Sequence, residues 1–319
     1  MYHERWRVPE EVSLRIIKTL VGVMDVTSQK DRALRVAVML GYTSTVEFLL
    51  SIEKVDPRAD NDYCIITAII NNSTDIVRLL VNCDKVDLSH GGYEPFLVAC
   101  QQSNVEIIKI LLASDKVDPC VGDSFCVSVA CWNEASVDVL RVLLEDGRVN
   151  PAANNNRAFL MALNRNKEFA AFLLTDPRVD PSIRNNMAIP AVARHGWTDL
   201  LELLLKHERV DPAQVGSEAI IEALHGESMD CVRLLVGDLR VDPSQNNNEA
   251  LLTAVRSQNK EAVGLLLKDS RVKTMETLEN AVGIAENMSD MDMVVFLSRM
   301  IEELDQKEMW DKLRSSGLE

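Results

Sequence analysis

The sequence predicts an all-α solenoid of stacked helix-turn-helix units, and three observations carry that prediction. Near-copies of one tripeptide return at Val55-Asp56-Pro57, Val86-Asp87-Leu88, Val117-Asp118-Pro119, Val149-Asn150-Pro151, Val179-Asp180-Pro181, Val210-Asp211-Pro212, Val241-Asp242-Pro243 and, worn, Val272-Lys273-Thr274. The steps are nearly constant at roughly 31 residues, and a fixed period of that length marks supersecondary units that stack on their neighbours. Between anchors, each unit carries two short apolar stripes at helical spacing. Apolar residues make up 47 % of the chain but aromatics only 5 %, so Leu, Val, Ile and Ala fill the core, as suits packed helices. Units that touch only their neighbours need no division of 319 residues into separate cores.

Residues 1–30 are expected to cap the array. Pro9, Glu10 and Glu11 favour a helix first turn, and Val12, Ile16, Ile17, Leu20 and Val21 share one face. An array needs such a cap, because its first unit otherwise exposes an apolar side.

Residues 31–274 hold about eight repeats, clearest at 249–272. There Leu251, Ala254 and Val255 line a first helix, Val263, Leu266 and Leu267 line a second, and Ser257 to Asn259 turn between them. Each helix is under about three turns and draws its stability from packing. One position at a fixed offset ahead of the anchor valine is alanine at Ala37, Ala68, Ala99, Ala223 and Ala254, displaced by one at Ala130 and Ala162 and replaced by Val192; a small side chain lets first helices approach closely. Within the anchor, Val is a buried plug, Asp accepts backbone N–H bonds and Pro stops the second helix. The tips that follow, such as Asn154-Asn155-Asn156, Asn185-Asn186 and Asn246-Asn247-Asn248, are turn chemistry, since Asn tolerates left-handed backbone. Beyond Val272 the register is expected to change, with residues 275–319 forming two longer closing helices and a tail whose Trp310 and Leu313 can share a face.

These residues resemble ankyrin repeats. Glu94-Pro95-Phe96-Leu97-Val98-Ala99 is similar to the family's TPLHxA element and Ile76-Val77-Arg78-Leu79-Leu80-Val81 to its VVxLLL element, while Gly41 and Gly196 sit where the family places glycine between helices and Trp197 at the histidine that follows. The units are shorter than the family's and lack its Asp-Gly turn, so the projecting hairpin finger is expected to shrink to a tight loop. The resemblance implies a non-enzymatic scaffold that holds a protein on a concave surface. The divergent repeat is also compatible with an effector-type binder of signalling proteins.

Bulk chemistry narrows the partners. A formal charge of −15 repels nucleic acid, and no Lys/Arg cluster offers a local exception. No apolar run approaches the ~20 residues that span a bilayer. Seven cysteines without framework spacing read as reduced fillers in the cytoplasm or nucleus. The charged first residues show no secretory signal, although secretion into a host cell stays open if a leader was removed. A free chain is expected to be a monomer. No catalytic motif is present, Cys120, Cys126 and Cys131 match no zinc spacing, and no cofactor is expected.

Two residues after the packed position runs the row Met39, Ile70, Gln101, Trp132, Asn164, Arg194, His225, Arg256, which ankyrin-like stacking would place on the concave face. Its first half is mostly apolar or aromatic and its second half polar to cationic. Tyr63, Tyr93 and Phe125 add rings at the mouth of the first helices, against Glu218 and Glu249 later. The expected partner site is therefore Tyr63, Tyr93, Phe125 and Trp132, with Met39 and Ile70 beside them and Arg194 and Arg256 as a weakly basic end. Separately, Val8-Pro9-Glu10-Glu11-Val12 followed by Ile16-Ile17 and Leu20 resembles the opening of an F-box, the segment that docks on a cullin-ligase adaptor. That match covers the first of about three helices and implies an alternative role as a substrate adaptor of a ubiquitin ligase.

Overall fold

A computed structural model describes residues 8–88 apart from 22, 24 and 26, residues 94–132 and residues 136–315. Among these residues every regular element is helical and no strand occurs. The chain divides into two compact units, Met1–Arg178 and Val179–Glu319. The first unit begins with the helix Glu10–Leu20 and continues with five helix pairs: Ser28–Leu40 with Thr43–Leu50, Ala59–Ile70 with Thr74–Val81, Glu94–Gln101 with Val105–Leu112, Val121–Trp132 with Val137–Glu145, and Ala153–Ala162 with Lys167–Leu173. The second unit holds four: Ala188–Arg194 with Thr198–Lys206, Gly216–His225 with Met229–Gly237, Gln245–Arg256 with Lys260–Leu266, and Met275–Asn287 with Met291–Ser315. Within each unit a first helix packs on its own second helix and on the first helices of its neighbours.

The packed alanines lie where the period places them: Ala37, Ala68, Ala99, Ala130, Ala162, Val192, Ala223 and Ala254 are all buried. Their carbonyls also close the helices. The N–H of Tyr42 donates to the Ala37 carbonyl and that of Gly41 to Val38, and the same pair of bonds recurs from Ser73 to Ala68 and Asn72 to Ile69, from Ser228 to Ala223 and Glu227 to Leu224, and from Asn259 to Ala254 and Gln258 to Val255. This is the helix stop in which one left-handed residue turns the chain. That residue is Gly41 or Gly196 where glycine is present (φ 74° and 67°), and Asn72, Ser103, Glu227, Gln258 and Ser289 elsewhere.

Ser289 corrects the expected change of register. It stands one full period after Gln258, and Ala285, one period after Ala254, is fully buried. The closing helices are thus a ninth pair in phase with the rest, although their anchor, Val272-Lys273-Thr274, has lost its Asp and Pro.

All eight anchor valines are buried. The second anchor residue accepts the N–H two residues on at Asp56, Asp118, Asn150, Asp180, Asp211 and Asp242, at about 3 Å. The hairpin finger is replaced by three consecutive left-handed residues: Asp60-Asn61-Asp62, Gly122-Asp123-Ser124, Asn154-Asn155-Asn156, Arg184-Asn185-Asn186 and Asn246-Asn247-Asn248. Left-handed backbone costs an ordinary residue about 1–2 kcal/mol, least for Asn, Asp and Gly, which accounts for the asparagine runs. The third residue turns inward and ties repeat to repeat. Ser124 Oγ accepts the Asn150 N–H at 2.9 Å, and Asn186 Oδ1 accepts the Asp211 N–H at 3.0 Å. In the first repeat Asp31 fills this place and accepts from the Asp56 backbone, but it is buried, its Oδ1 has no partner among the described residues, and burial pushes its pKa up.

A cation stands directly before each anchor valine, unremarked in the periodic pattern, and six of the eight form a second tie. Lys85 Nζ donates to the carbonyls of Ile52, Glu53 and Val55, and Lys116 Nζ to those of Val81 and Cys83. Arg148, Arg178, Arg240 and Arg271 reach the anchor carbonyls of Val117, Val149, Val210 and Val241. Each of these arginines is oriented by an aspartate two residues earlier, and the guanidinium hydrogen bond holds Asp146, Asp176, Asp238 and Asp269 below the usual carboxylate range. The cations sit where helix C-termini leave carbonyls unpaired.

The N-terminal helix differs most from expectation. Only the Ser13, Leu14, Ile17 and Val21 side is half-buried, while Val12, Ile16 and Leu20 are exposed. Its tie to the first repeat is largely polar: Glu10 Oε1 accepts the N–H groups of Ser44 (2.7 Å) and Thr45 (3.2 Å), and the Tyr42 hydroxyl donates to the Val8 carbonyl.

Candidate interaction surface

A residue two positions past the packed alanine points about 200° away around the helix, so the expected row should face outward wherever the alanine faces the core. It does in both units. In the first unit Met39, Ile70 and Trp132 are 50, 55 and 55 % exposed, and Gln101 is exposed with them. Asn164, at the end of this part of the row, is exposed too. Apolar side chains this exposed and recurring at one register position are the unusual feature, since scattered surface apolars carry no meaning.

Of the rings expected at the mouth of the first helices, Tyr63 and Phe125 lie seven residues before Ile70 and Trp132, two turns away on the same face. Tyr63 and Phe125 are half-buried, and each meets an arginine: Arg35 lies 5.4 Å from the Tyr63 ring and Arg157 5.6 Å from Phe125. Arg35 is held by Asp60 at 2.5 Å. Tyr93 lies outside the described residues. Trp132 carries the guanidinium of Arg165 at 4.1 Å from its ring, and neither Arg157 nor Arg165 has an ion-pair partner among the described residues. An exposed tryptophan under an arginine offers one apolar and one cationic contact at the same point. Arg165 escapes a search of the row because it belongs to the inter-helix turn of the next repeat; its place one residue after Asn164 is the only sequence signal.

In the second unit the two arginines of the same row are already partnered. Arg194 donates to Glu222 at 3.0 Å, His225 lies 3.9 Å from the same carboxylate, and Arg256 donates to Glu249 at 2.5 Å. The weakly basic end is therefore a set of closed ion pairs. Glu249 stands seven residues before Arg256 and Glu222 three before His225, spacings that place acid and base on one helix face. Nearby, His195 and Trp197 stack at 4.6 Å between ring centroids.

Four of the cysteines are kept from chemistry by burial. Cys64, Cys126 and Cys131 are buried, and desolvation raises each thiol to about 12, while Cys100 is raised well above its ordinary value; such thiols are poor nucleophiles and poor ligands. Among the same residues no group of His, Cys, Asp and Glu is placed to hold a metal ion, and no helix is long and apolar enough to cross a membrane.

The model of one protein family, described as ankyrin repeats (3 copies), matches residues 34–123 and 189–276, over half of the chain. No curated protein matches it. The matched segments contain six of the eight packed positions and six of the eight buried anchor valines, and on this match the chain belongs to the ankyrin-repeat family.

Proposed function

We propose that this chain is a non-enzymatic interaction module that holds a partner protein on the outward row of first helices in its first unit. Ankyrin repeats generally mediate protein–protein interaction. The observation that supports the finer reading is the periodic exposure of Met39, Ile70 and Trp132, the last with Arg165 stacked on it. Tyr63 and Phe125 extend that face, and Tyr93 is proposed with them from its sequence position. Aromatic and arginine side chains give the largest contributions when a partner desolvates them. Free buried thiols suit a reducing compartment. The test is a titration of full-length chain and its Ile70→Ala/Trp132→Ala variant with a partner recovered by affinity capture; unchanged affinity with an unchanged melting curve removes the site.

A second reading, adaptor of a cullin-type ubiquitin ligase, is favoured by one observation. The helix that follows Pro9 leaves Val12, Ile16 and Leu20 open on one stripe instead of burying them, as a docking helix would. Capture of the ligase adaptor subunit by the full chain, lost on Ile16→Asp, supports this reading; no capture by the wild type removes it.

A further inference from the structure

We infer that the strip between the first helices of repeats four and five accepts an α-helix of a partner protein that carries two carboxylates seven residues apart with an apolar residue midway. The inference rests on the first reading above, that the outward face of the first unit holds a protein, and adds what that protein must present.

Two columns of side chains line the strip. Val121–Trp132 contributes Phe125, Val129 and Trp132, and Ala153–Ala162 with the turn after it contributes Arg157, Met161 and Arg165. The two helices pack against each other, and the columns meet at both ends. Arg157 lies 5.6 Å from the Phe125 ring and Arg165 4.1 Å from the Trp132 ring. Between these ends Val129 is buried and Met161 half-exposed, so the floor is aliphatic. Each end is thus a ring with a guanidinium on it, and the middle is apolar alone.

The same unit supplies an internal control. Where an arginine lies on a ring elsewhere, the chain provides a carboxylate: Arg35, over Tyr63, is held by Asp60, and Arg141, over Phe172, has Asp138 at 3.9 Å. On this strip it does not. Among the described residues neither the Arg157 nor the Arg165 guanidinium has an ion-pair or hydrogen-bond partner; Glu94, Asp123 and Glu168, the described acids nearest in register or sequence, pair with neither, and Glu134 lies outside the described residues. Stacking uses the face of a guanidinium and leaves its edge N–H groups open to an acceptor. A carboxylate matches them best, because it takes two at once. The chain's charge of −15 opposes an acidic partner at a distance, but that repulsion is screened beyond about 8 Å at physiological salt, so the contact itself decides.

Spacing decides the partner's conformation. Phe125 and Trp132 are seven residues apart on one helix, about 10.5 Å along its axis. A partner helix running along the strip brings residues seven apart back to one face at that same distance, with the residue three or four along between them. An extended chain covers about 10 Å in three residues, which puts its two acids on opposite sides. The occupant is therefore a helix docked along the groove, its acids one heptad apart and an aliphatic residue over Met161.

The probe is a display library of short alanine-based helices randomised on one face, selected on the full chain at physiological salt. Recovered peptides should carry Asp or Glu seven residues apart around an aliphatic residue. In fluorescence anisotropy the tightest of them should bind roughly tenfold more weakly to the Arg157→Ala/Arg165→Ala variant, and changing its two acids to amides should weaken binding to the wild-type chain equally. Both arginines are exposed, so the variant should keep the wild-type melting curve. Binders that lack the paired acids, binding unchanged in the arginine variant, or no peptide enriched on wild type over that variant each overturn the inference. If the recovered binders ignore the arginine variant but are lost on Ile70→Ala/Trp132→Ala, the surface stands and the acidic match falls; if they are indifferent to both, the surface falls with it.

Discussion

The first helices of the two units share a register but not a surface. At one position the first unit carries Met39, Ile70 and Trp132, exposed, with Arg165 stacked on the tryptophan and without an ion-pair partner among the described residues. The second unit carries Arg194, His225 and Arg256 there, with Glu222 and Glu249 closing the charges of the two arginines. Stacking constrains the alanine face of each helix and leaves the far side free to vary. Where acids and bases recur on that far side they satisfy each other within the unit. Exposed ion pairs of this sort contribute about 0–1 kcal/mol, so the second row is a poor store of binding energy, whereas the first has apolar area still to bury.

The largest test of this contrast strikes the backbone beneath the second row. A Cβ on Gly226 would lie 2.0 Å from the Arg194 carbonyl oxygen, so Gly226→Ala should cost about 3 kcal/mol or more and part Arg194 from Glu222. A urea melt matching wild type would mean that repeats six and seven do not approach as described. The next effect is on binding: Trp132→Ala combined with Ile70→Ala should weaken partner affinity by about 2–4 kcal/mol, while Arg194→Ala and Arg256→Ala should each change it by less than about 1 kcal/mol. Equal losses in the two rows would erase the distinction between them.

Smaller effects come from the ties between repeats, which also differ along the chain. Arg240→Met removes donors to the Val210 and Leu205 carbonyls and should cost about 1–2 kcal/mol in chemical denaturation. Because Arg240 also holds the Asp238 pKa below its unfolded value, the ion-pair part of its contribution is complete above the unfolded value of about 3.9 and is lost as pH falls through the folded one. The difference between wild type and variant should therefore narrow in acid; a constant difference from neutral pH down to strong acid would show that the ion pair is not its source. The smallest prediction has the opposite sign. Asp31→Asn should stabilise the first unit by about 0.5–1 kcal/mol at neutral pH, because an amide keeps the bond from Asp56 without a buried charge. With the folded pKa of Asp31 raised, the cost of ionising it builds as pH rises from the unfolded value of about 3.9 and is complete above the folded one, so the gain should vanish below about pH 3.9. A gain that persists there would point to a cause other than charge.

Much of this architecture was legible before any coordinates. The repeat period located the buried valines, the packed alanines and the outward row, since periodicity fixes which side of a helix is buried. The asparagine tips read as left-handed turns because few residues tolerate that backbone. What escaped is what depends on a neighbour one period away. The lysine or arginine before every anchor valine recurs as faithfully as the valine, yet its role is visible only when the preceding repeat's carbonyls are beside it. The apolar face of the N-terminal helix read as a buried cap, because a stripe shows that a helix can pack and not what it packs against.

The sequence by itself determined the unit: its length, its two helices, its stops and the inward side of each, all set by residue choices that recur in every repeat. Tertiary structure alone decided which charges close on each other, which rings carry a cation and which apolar stripe stays open. Those outcomes depend on side chains a repeat or more apart meeting within a few ångströms, and a period in the sequence fixes the spacing of residues along the chain, not the company that stacking gives them.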